Sequence, residues 1–179
     1  VICTLLHSQP MSLKHAILVS LAERPASGYD LVSRFDRSIG YFWRASHQQM
    51  YRELPKLEAA GWVSAEAVAQ SGKPDKRVYA ITDAGRGALT EWLKAPVGPE
   101  PVRESLMVKV RGAALLGAAH VLPEIRRHRQ LHADKLTLFQ QIEQGDFSNG
   151  PGDDPTRRCR YLALRSGVLY HHSWVTWCD

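Results

Sequence analysis

Residues 46–81 read SHQQMYRELPKLEAAGWVSAEAVAQSGKPDKRVYAI, and two hydrophobic periods meet inside them. From Ser46 to Ala60, Met50, Leu54 and Leu57 recur at helical spacing, so one face of a helix is apolar and the other polar. Gly61 stands where a helix C-terminus favours a left-handed residue. Pro55 is an anomaly in this run: inside a helix it lacks the N–H and crowds the preceding turn, so a kink or a turn of different geometry is expected. After Gly61 the period drops to two. Trp62–Val68 reads as a strand, Ser71-Gly72-Lys73-Pro74-Asp75 as a turn, and Arg77–Ile81 as the returning strand. A helix followed by a β-hairpin with a basic tip is the core of this reading.

Upstream, Ser12–Glu23 has the spacing of a helix, with Leu13, Ile17 and Leu21 on one side and Ser12 as cap. Arg24-Pro25-Ala26 breaks it, and Ser27 caps a second helix carrying Leu31, Val32 and Phe35. The aromatic run Gly40-Tyr41-Phe42-Trp43 predicts a brief extended segment. Downstream, Thr82 caps a helix from Asp83 to about Lys94, with Ala88, Leu89 and Trp92 turned inward. Three helices and a hairpin wing in this order make a winged helix-turn-helix.

Pro96, Gly98, Pro99 and Pro101 mark a linker. The chain thus divides into an N-terminal extension (1–11), a winged helix-turn-helix (12–95), a linker (96–102) and a helical region (103–179). In the last region Leu106, Val110, Ala113 and Ala114 suit one helix, and Leu122–Gln144 a long second one. After a loop at Ser148–Pro155, Arg157–Trp177 suits a third. Its stripe runs Cys159, Leu162, Ala163, Ser166, Tyr170, Trp174, Trp177. The fold class expected is mainly α with a small β-hairpin wing, plus a C-terminal three-helix dimerisation domain. Leu162, Ser166, Leu169, Tyr170, Trp174 and Trp177 are the expected dimer surface, because three helices cannot easily bury that much apolar area by themselves.

Composition narrows the function classes. The 179 residues are 44% hydrophobic and 23% charged, which suits a globular chain rather than a disordered one. Apolar runs such as Ala113–Ala119 fall well short of the roughly 20 residues a bilayer span needs. Residues 1–10 lack a signal-peptide pattern, Met11 is the expected native start, and a cytoplasmic location follows by default. Cys3, Cys159 and Cys178 show no framework spacing and read as ordinary thiols. The net charge of +5 favours nucleic acid or anionic surfaces as partners. It is spread along the chain, however, at +3 over residues 11–96 and +2 over 97–179, so local placement has to decide.

The segments Gly28-Tyr29-Asp30-Leu31, Trp43, Gln48, Tyr51-Arg52-Glu53-Leu54, Leu57-Glu58, Gly61-Trp62-Val63 and Tyr79-Ala80-Ile81-Thr82-Asp83-Ala84-Gly85 resemble, in order and spacing, the PadR family of bacterial transcription regulators. Arg103-Glu104-Ser105-Leu106-Met107-Val108-Lys109 is similar to the start of that family's C-terminal helical region. The resemblance covers nearly all of residues 12–95. It implies a homodimeric winged-helix DNA binder, usually a repressor and often controlled by a small molecule.

Such a recognition helix enters the major groove N-terminus first. With Met50, Leu54 and Leu57 in the core, a rotation of about 100° per residue turns Gln48 and Arg52 outward. Gln48 has the geometry to read adenine, and Arg52 to read guanine or hold a phosphate. Ser46, His47 and Gln49 share the leading end, Tyr51 flanks it, and Tyr29, Arg44 and Lys56 are phosphate candidates. Lys73, Lys76 and Arg77 give the wing its charge, suited to backbone or minor groove. A homodimer on a palindromic operator would place two readers about 34 Å apart. Trp43, Tyr170 and Trp174 are candidate walls of a pocket for a small aromatic effector.

Three other readings compete with this one. A winged helix can serve protein–protein contact, with its polar face merely solvated. His128 and His132, one helical turn apart, could share a metal, whereas the neighbours His171 and His172 point apart. No nucleophile motif, phosphate loop or carboxylate pair frames an enzyme, and no cofactor is expected.

Overall fold

The computed structural model describes residues 13–69, 76–98 and 103–179. Ser12 and the expected wing tip, Lys73 included, lie outside these residues. Contacts divide the chain into two compact units, Val1–Glu100 and Pro101–Asp179.

The first unit runs α1 (Leu13–Glu23), β1 (Ala26–Ser27), α2 (Gly28–Asp36), a 3₁₀ turn (Ile39–Tyr41), α3 (His47–Ala59), β2 (Val63–Val68), β3 (Lys76–Ile81) and α4 (Asp83–Lys94). Its core gathers Ile17, Leu18 and Leu21 of α1, Leu31, Val32 and Phe35 of α2, and Met50, Leu54 and Leu57 of α3. Val63, Tyr79 and Leu89 close it from the sheet and α4. Burying nine or more aliphatic and aromatic side chains, at about 1.5–3 kcal/mol each, is what offsets the ordering of so small a unit.

Caps set the helix boundaries. Ser27 Oγ accepts from the Asp30 N–H at 3.2 Å, and Thr82 Oγ1 accepts from the Gly85 N–H at 3.1 Å. At the far end of α3 the Gly61 N–H bonds the Glu58 carbonyl and the Trp62 N–H bonds the Leu57 carbonyl, both at 2.9 Å. With Gly61 at φ 71°, this is a Schellman exit, and it aims the chain into β2. The Arg34 guanidinium donates to Ser20 Oγ (3.1 Å), the Ser20 carbonyl (2.6 Å) and the Arg24 carbonyl (3.0 Å). It thereby satisfies carbonyls that the end of α1 leaves without helical partners.

The expected hairpin is present as β2 and β3, antiparallel from Val63↔Ile81 to Val68↔Lys76. A strand that the sequence reading lacked joins it: Ala26 and Ser27 pair with Tyr79 and Val78, giving a three-stranded antiparallel sheet of order β1-β3-β2. One expectation needs correction. The segment Gly40–Trp43 is not extended. The Phe42 and Trp43 N–H groups bond the Ile39 carbonyl at 3.1 and 2.8 Å, and a Cβ on Gly40 would stand 3.0 Å from the Phe35 carbonyl oxygen. Aromatic β-propensity needs a neighbouring strand to be realised, and here the local turn bonds prevail. Pro55 lies inside α3, which is assigned as one helix to Ala59.

The second unit runs α5 (Ser105–Leu116), a 3₁₀ turn (Ala118–His120), α6 (Leu122–Phe147) and α7 (Pro155–Cys178). Asp154 caps α7 by accepting from the Thr156 and Arg157 N–H groups. Helices α6 and α7 pack along most of their length. A Cβ on Gly167 would meet the Phe139 ring at 2.8 Å, so glycine permits the closest approach. On one side of it, Glu143 accepts from Tyr161 and Arg165, and Phe147 lies against Tyr161. Toward the other end, His132 Nδ1 lies 2.8 Å from His171 Nδ1, and Trp174 stacks on His132 at 4.7 Å. Trp174, expected on the outward stripe, therefore faces α6, whereas Leu162, Leu169, Tyr170 and Trp177 are exposed in the single chain.

Two outcomes are expected. A Cβ on Gly85 would fall 2.0 Å from the Trp62 carbonyl oxygen, a backbone atom that cannot step aside. Gly85→Ala should therefore cost about 2–3 kcal/mol in urea unfolding, and a neutral result would refute the close contact. Burial lowers the pKa of His15, His132 and His171, with Lys14 adding to the effect at His15 and the paired His132 at His171. Above pH 6.5 these groups are neutral in folded and unfolded chains alike. Below it the unfolded chain takes protons first, so stability is lost as pH falls. The thermal midpoint should drop between pH 7.5 and 5.5, and less steeply in His132→Phe. A flat midpoint over that window contradicts the packing.

Candidate nucleic-acid interface

Helix α3 begins with a reciprocal cap. Ser46 Oγ accepts from the Gln49 N–H at 3.2 Å, and Gln49 Oε1 accepts from the Ser46 N–H at 2.8 Å. This capping box settles the first turn, and it commits the Gln49 side chain to the backbone. Gln49, expected among the groups at the leading end, here serves the helix itself.

Met50, Leu54 and Leu57 are buried, and Gln48, Tyr51, Arg52 and Lys56 are exposed. Gln48 and Arg52 lie one turn apart on the outward stripe, where Arg52 Nε reaches the Gln48 carbonyl at 3.4 Å. Arg44, two residues before the cap, is exposed as well. The N-terminal end of a helix carries positive partial charge and unpaired N–H groups, so this end suits an anion.

Beside that end, Tyr29, Val32, Ser33 and Asp36 of α2 and His47 and Tyr51 of α3 line a shallow groove of about 240 Å³. His47 Nε2 lies 2.9 Å from Asp36 Oδ2. Tyr29 is 76% exposed and Tyr51 48%. The Tyr51 ring rests on Gly28, where a Cβ would come within 2.7 Å of Cε1. Gly28 thus lets the two helices close until the Tyr51 ring meets the start of α2.

Among the described residues, three further candidate bases are engaged with acids. Lys56 Nζ is 3.0 Å from Glu53, Lys76 Nζ is 4.0 Å from Asp30, and Arg77 bonds both oxygens of Glu58 at 2.7 and 2.9 Å. The Ser27 hydroxyl, with help from Lys76, holds the Asp30 carboxyl below its ordinary range. Asp36, Glu58 and Gly28 were not singled out as site residues from sequence. Glu58 is 19 residues from Arg77 and Asp36 is 11 from His47, and no local spacing announces either pair.

The candidate effector residues divide between the units. Trp43 is partly buried against the core of the first. Tyr170 and Trp174 come together in the second, both against His132, with ring centroids at 5.8 and 4.7 Å. Of the expected dimer surface, Leu162, Leu169, Tyr170 and Trp177 are exposed, and Ser166 Oγ donates back to the Ala163 carbonyl. Among the described residues no three metal-ligating side chains are grouped, and no helix is long and apolar enough to cross a membrane.

Comparison with known proteins places this geometry. Residues 17–91 match the PadR-like family of transcriptional regulators, and residues 102–179 match the virulence activator α C-terminal family. A probable transcriptional regulator of Mycobacterium tuberculosis, Rv1176c, is 42% identical over 179 residues, covering 94% of this chain and 95% of that protein. The Bacillus subtilis negative transcriptional regulator PadR is 40% identical over 177 residues, 93% of each chain. Its crystal structure in complex with operator DNA superposes with a TM-score of 0.82 over 93% of both chains, at 28% identity over the superposed residues. Its complex with p-coumaric acid gives 0.77 over 93% of this chain and 94% of that one, again at 28%. The Vibrio cholerae virulence activator AphA is similar at a TM-score of 0.76 and 35% identity, over 94% of both chains. By the extent and identity of these matches, the chain belongs to the PadR-like family of transcriptional regulators.

Proposed function

We propose that this protein is an effector-responsive repressor that binds a palindromic operator as a homodimer, in the cytoplasm. One observation carries the reading: the apolar stripe of α3 is buried, so its outward stripe presents Gln48 and Arg52 beside a capped, electropositive N-terminus. A side-chain amide and a guanidinium on one face are the groups that read adenine and guanine edges in a major groove. Residues 12–95 form the DNA-binding domain, 96–102 the linker and 103–179 the dimerisation domain. Ser46 and Gln49 hold the end of α3 in shape. His47, Tyr51, Tyr29, Arg44 and Lys56 flank it and serve the phosphates, and Lys73 and Lys76 lend the wing its charge.

Dimerisation through α7 explains why Leu162, Leu169, Tyr170 and Trp177 stay exposed in one chain. A second copy would cover this apolar surface, with Ser166 and Trp174 at its margin, and set two recognition helices about 34 Å apart. Repression is supported by the negative regulator among the relatives, and a small aromatic effector by that protein's complex with p-coumaric acid. In this chain Tyr170 and Trp174 supply aromatic surface for such a ligand within the second unit, and Trp43 separately within the first.

A gel shift on the DNA upstream of the protein's own gene, and on duplexes selected from a random pool, tests the reading. The wild type should shift a duplex in the presence of competitor DNA. Gln48→Ala/Arg52→Ala should lose at least about tenfold in affinity, since a good base contact contributes roughly 1–3 kcal/mol. A double variant that binds as well as the wild type would refute this recognition face. A wild type that selects no duplex would refute DNA binding itself.

A further inference from the structure

Strand β3 opens with two bases, and each is met by an acid from a helix. Lys76 reaches Asp30 in the first turn of α2, and Arg77 bonds Glu58 in the last turn of α3. Successive residues of a strand point to opposite faces, so the two contacts leave β3 on different sides. The base of the wing is thus held between the two helices of the helix-turn-helix. The Arg77 contact is the tighter of the two. One guanidinium nitrogen donates to both Glu58 oxygens, and the guanidinium carbon lies 5.6 Å from the Tyr79 ring centroid. Tyr79 is itself buried in the core, so the arginine is steadied from the sheet side as well.

Glu58 is out of place on two counts. A negative charge near a helix C-terminus opposes the macrodipole. In a protein that binds a polyanion, it also repels the ligand. A residue that only repelled DNA would be better as glutamine. We propose that Glu58 is a positioning residue for DNA binding. By holding Arg77 it fixes the wing against the recognition helix, and Arg77 serves the interface through that contact rather than by meeting a phosphate. The inference rests on the DNA-binding reading above, and it reassigns Arg77 within it.

The two roles predict opposite signs. If Arg77 meets a phosphate, removing the Glu58 charge strengthens DNA binding. If Glu58 positions Arg77, removing it weakens binding. The full-length protein is titrated by fluorescence anisotropy against a duplex that the wild type enriches from a random pool, at several salt concentrations. Glu58→Gln should bind about two- to fivefold more weakly, the range an exposed ion pair supports. Arg77→Gln should show a similar loss, with no further loss when combined with Glu58→Gln, and with the slope of log affinity against log salt unchanged. The exchange Glu58→Arg/Arg77→Glu should recover most of the affinity. Thermal midpoints should remain at the wild-type value throughout.

The proposal is overturned if Glu58→Gln binds as tightly as the wild type or more tightly. It is equally overturned if Arg77→Gln lowers the salt slope by about one per lost phosphate contact, if the exchange is as weak as Arg77→Glu alone, or if affinity simply follows the thermal midpoint. A wild type that enriches no duplex would sink the DNA-binding reading and this inference with it. A wild type that binds, with no penalty in Glu58→Gln, would sink this inference alone.

Discussion

The burial of Met50, Leu54 and Leu57 against α1 and α2 is the constraint on which the rest of the winged domain depends. Three side chains at helical spacing fix the rotation of α3 about its own axis, and with it the identity of the outward residues. The Ser46–Gln49 capping box fixes where the helix begins, and the Gly61 exit fixes where it stops and in which direction the chain leaves. Trp62 then supplies a carbonyl that the Thr82 N–H bonds at 3.0 Å, and Gly85 lies against that same carbonyl. The wing and α4 are therefore registered to the recognition helix through one residue beyond its end. An error in the rotation of α3 would spread to every element that follows.

The charge distribution of this surface is more economical than a net count suggests. Several of its bases are matched by acids at short range, as in Lys56–Glu53, Arg77–Glu58 and Lys76–Asp30. Exposed pairs of this kind add little to stability. Their effect is to restrict where long side chains can go, which matters more if, as proposed, this surface meets a rigid duplex. In the helical unit, by contrast, aromatic and imidazole rings do the joining. His128, His132, His171, Tyr170 and Trp174 form one continuous cluster between α6 and α7. Burial keeps His132 and His171 easier to deprotonate than in water, so near neutral pH the seam carries rings rather than charges.

Much of this was legible in the letters, and the reasons are physical. The switch from helical period to period two at Gly61 located α3 and the wing, because each period reflects burial of one face. Ser27 and Thr82 were recognisable as caps because capping is a local bond within three residues; Ser46 has the same local signal but was read only as the leading end of α3. What escaped was non-local or too short to carry a period. β1 is two residues long and exists because β3 offers it a free edge. The His47–Asp36, Arg77–Glu58 and His132–His171 contacts join residues 11, 19 and 39 positions apart. Arg34, which closes the end of α1, looks in the sequence like any other surface arginine. The aromatic run at Gly40–Trp43 misled for a related reason, since strand propensity is realised only where a partner strand stands.

The central claim is that the outward stripe of α3 meets base edges in the major groove at two symmetric half-sites. Dimethyl sulfate protection tests it most directly, because the reagent reports guanine N7 in the major groove and adenine N3 in the minor groove. On a duplex selected by the wild-type protein, the account predicts guanine N7 protection at symmetric positions about one helical turn apart, absent with Arg52→Ala at those same guanines. Protection confined to adenine N3, or a single unpaired footprint that Arg52→Ala leaves intact, would contradict it.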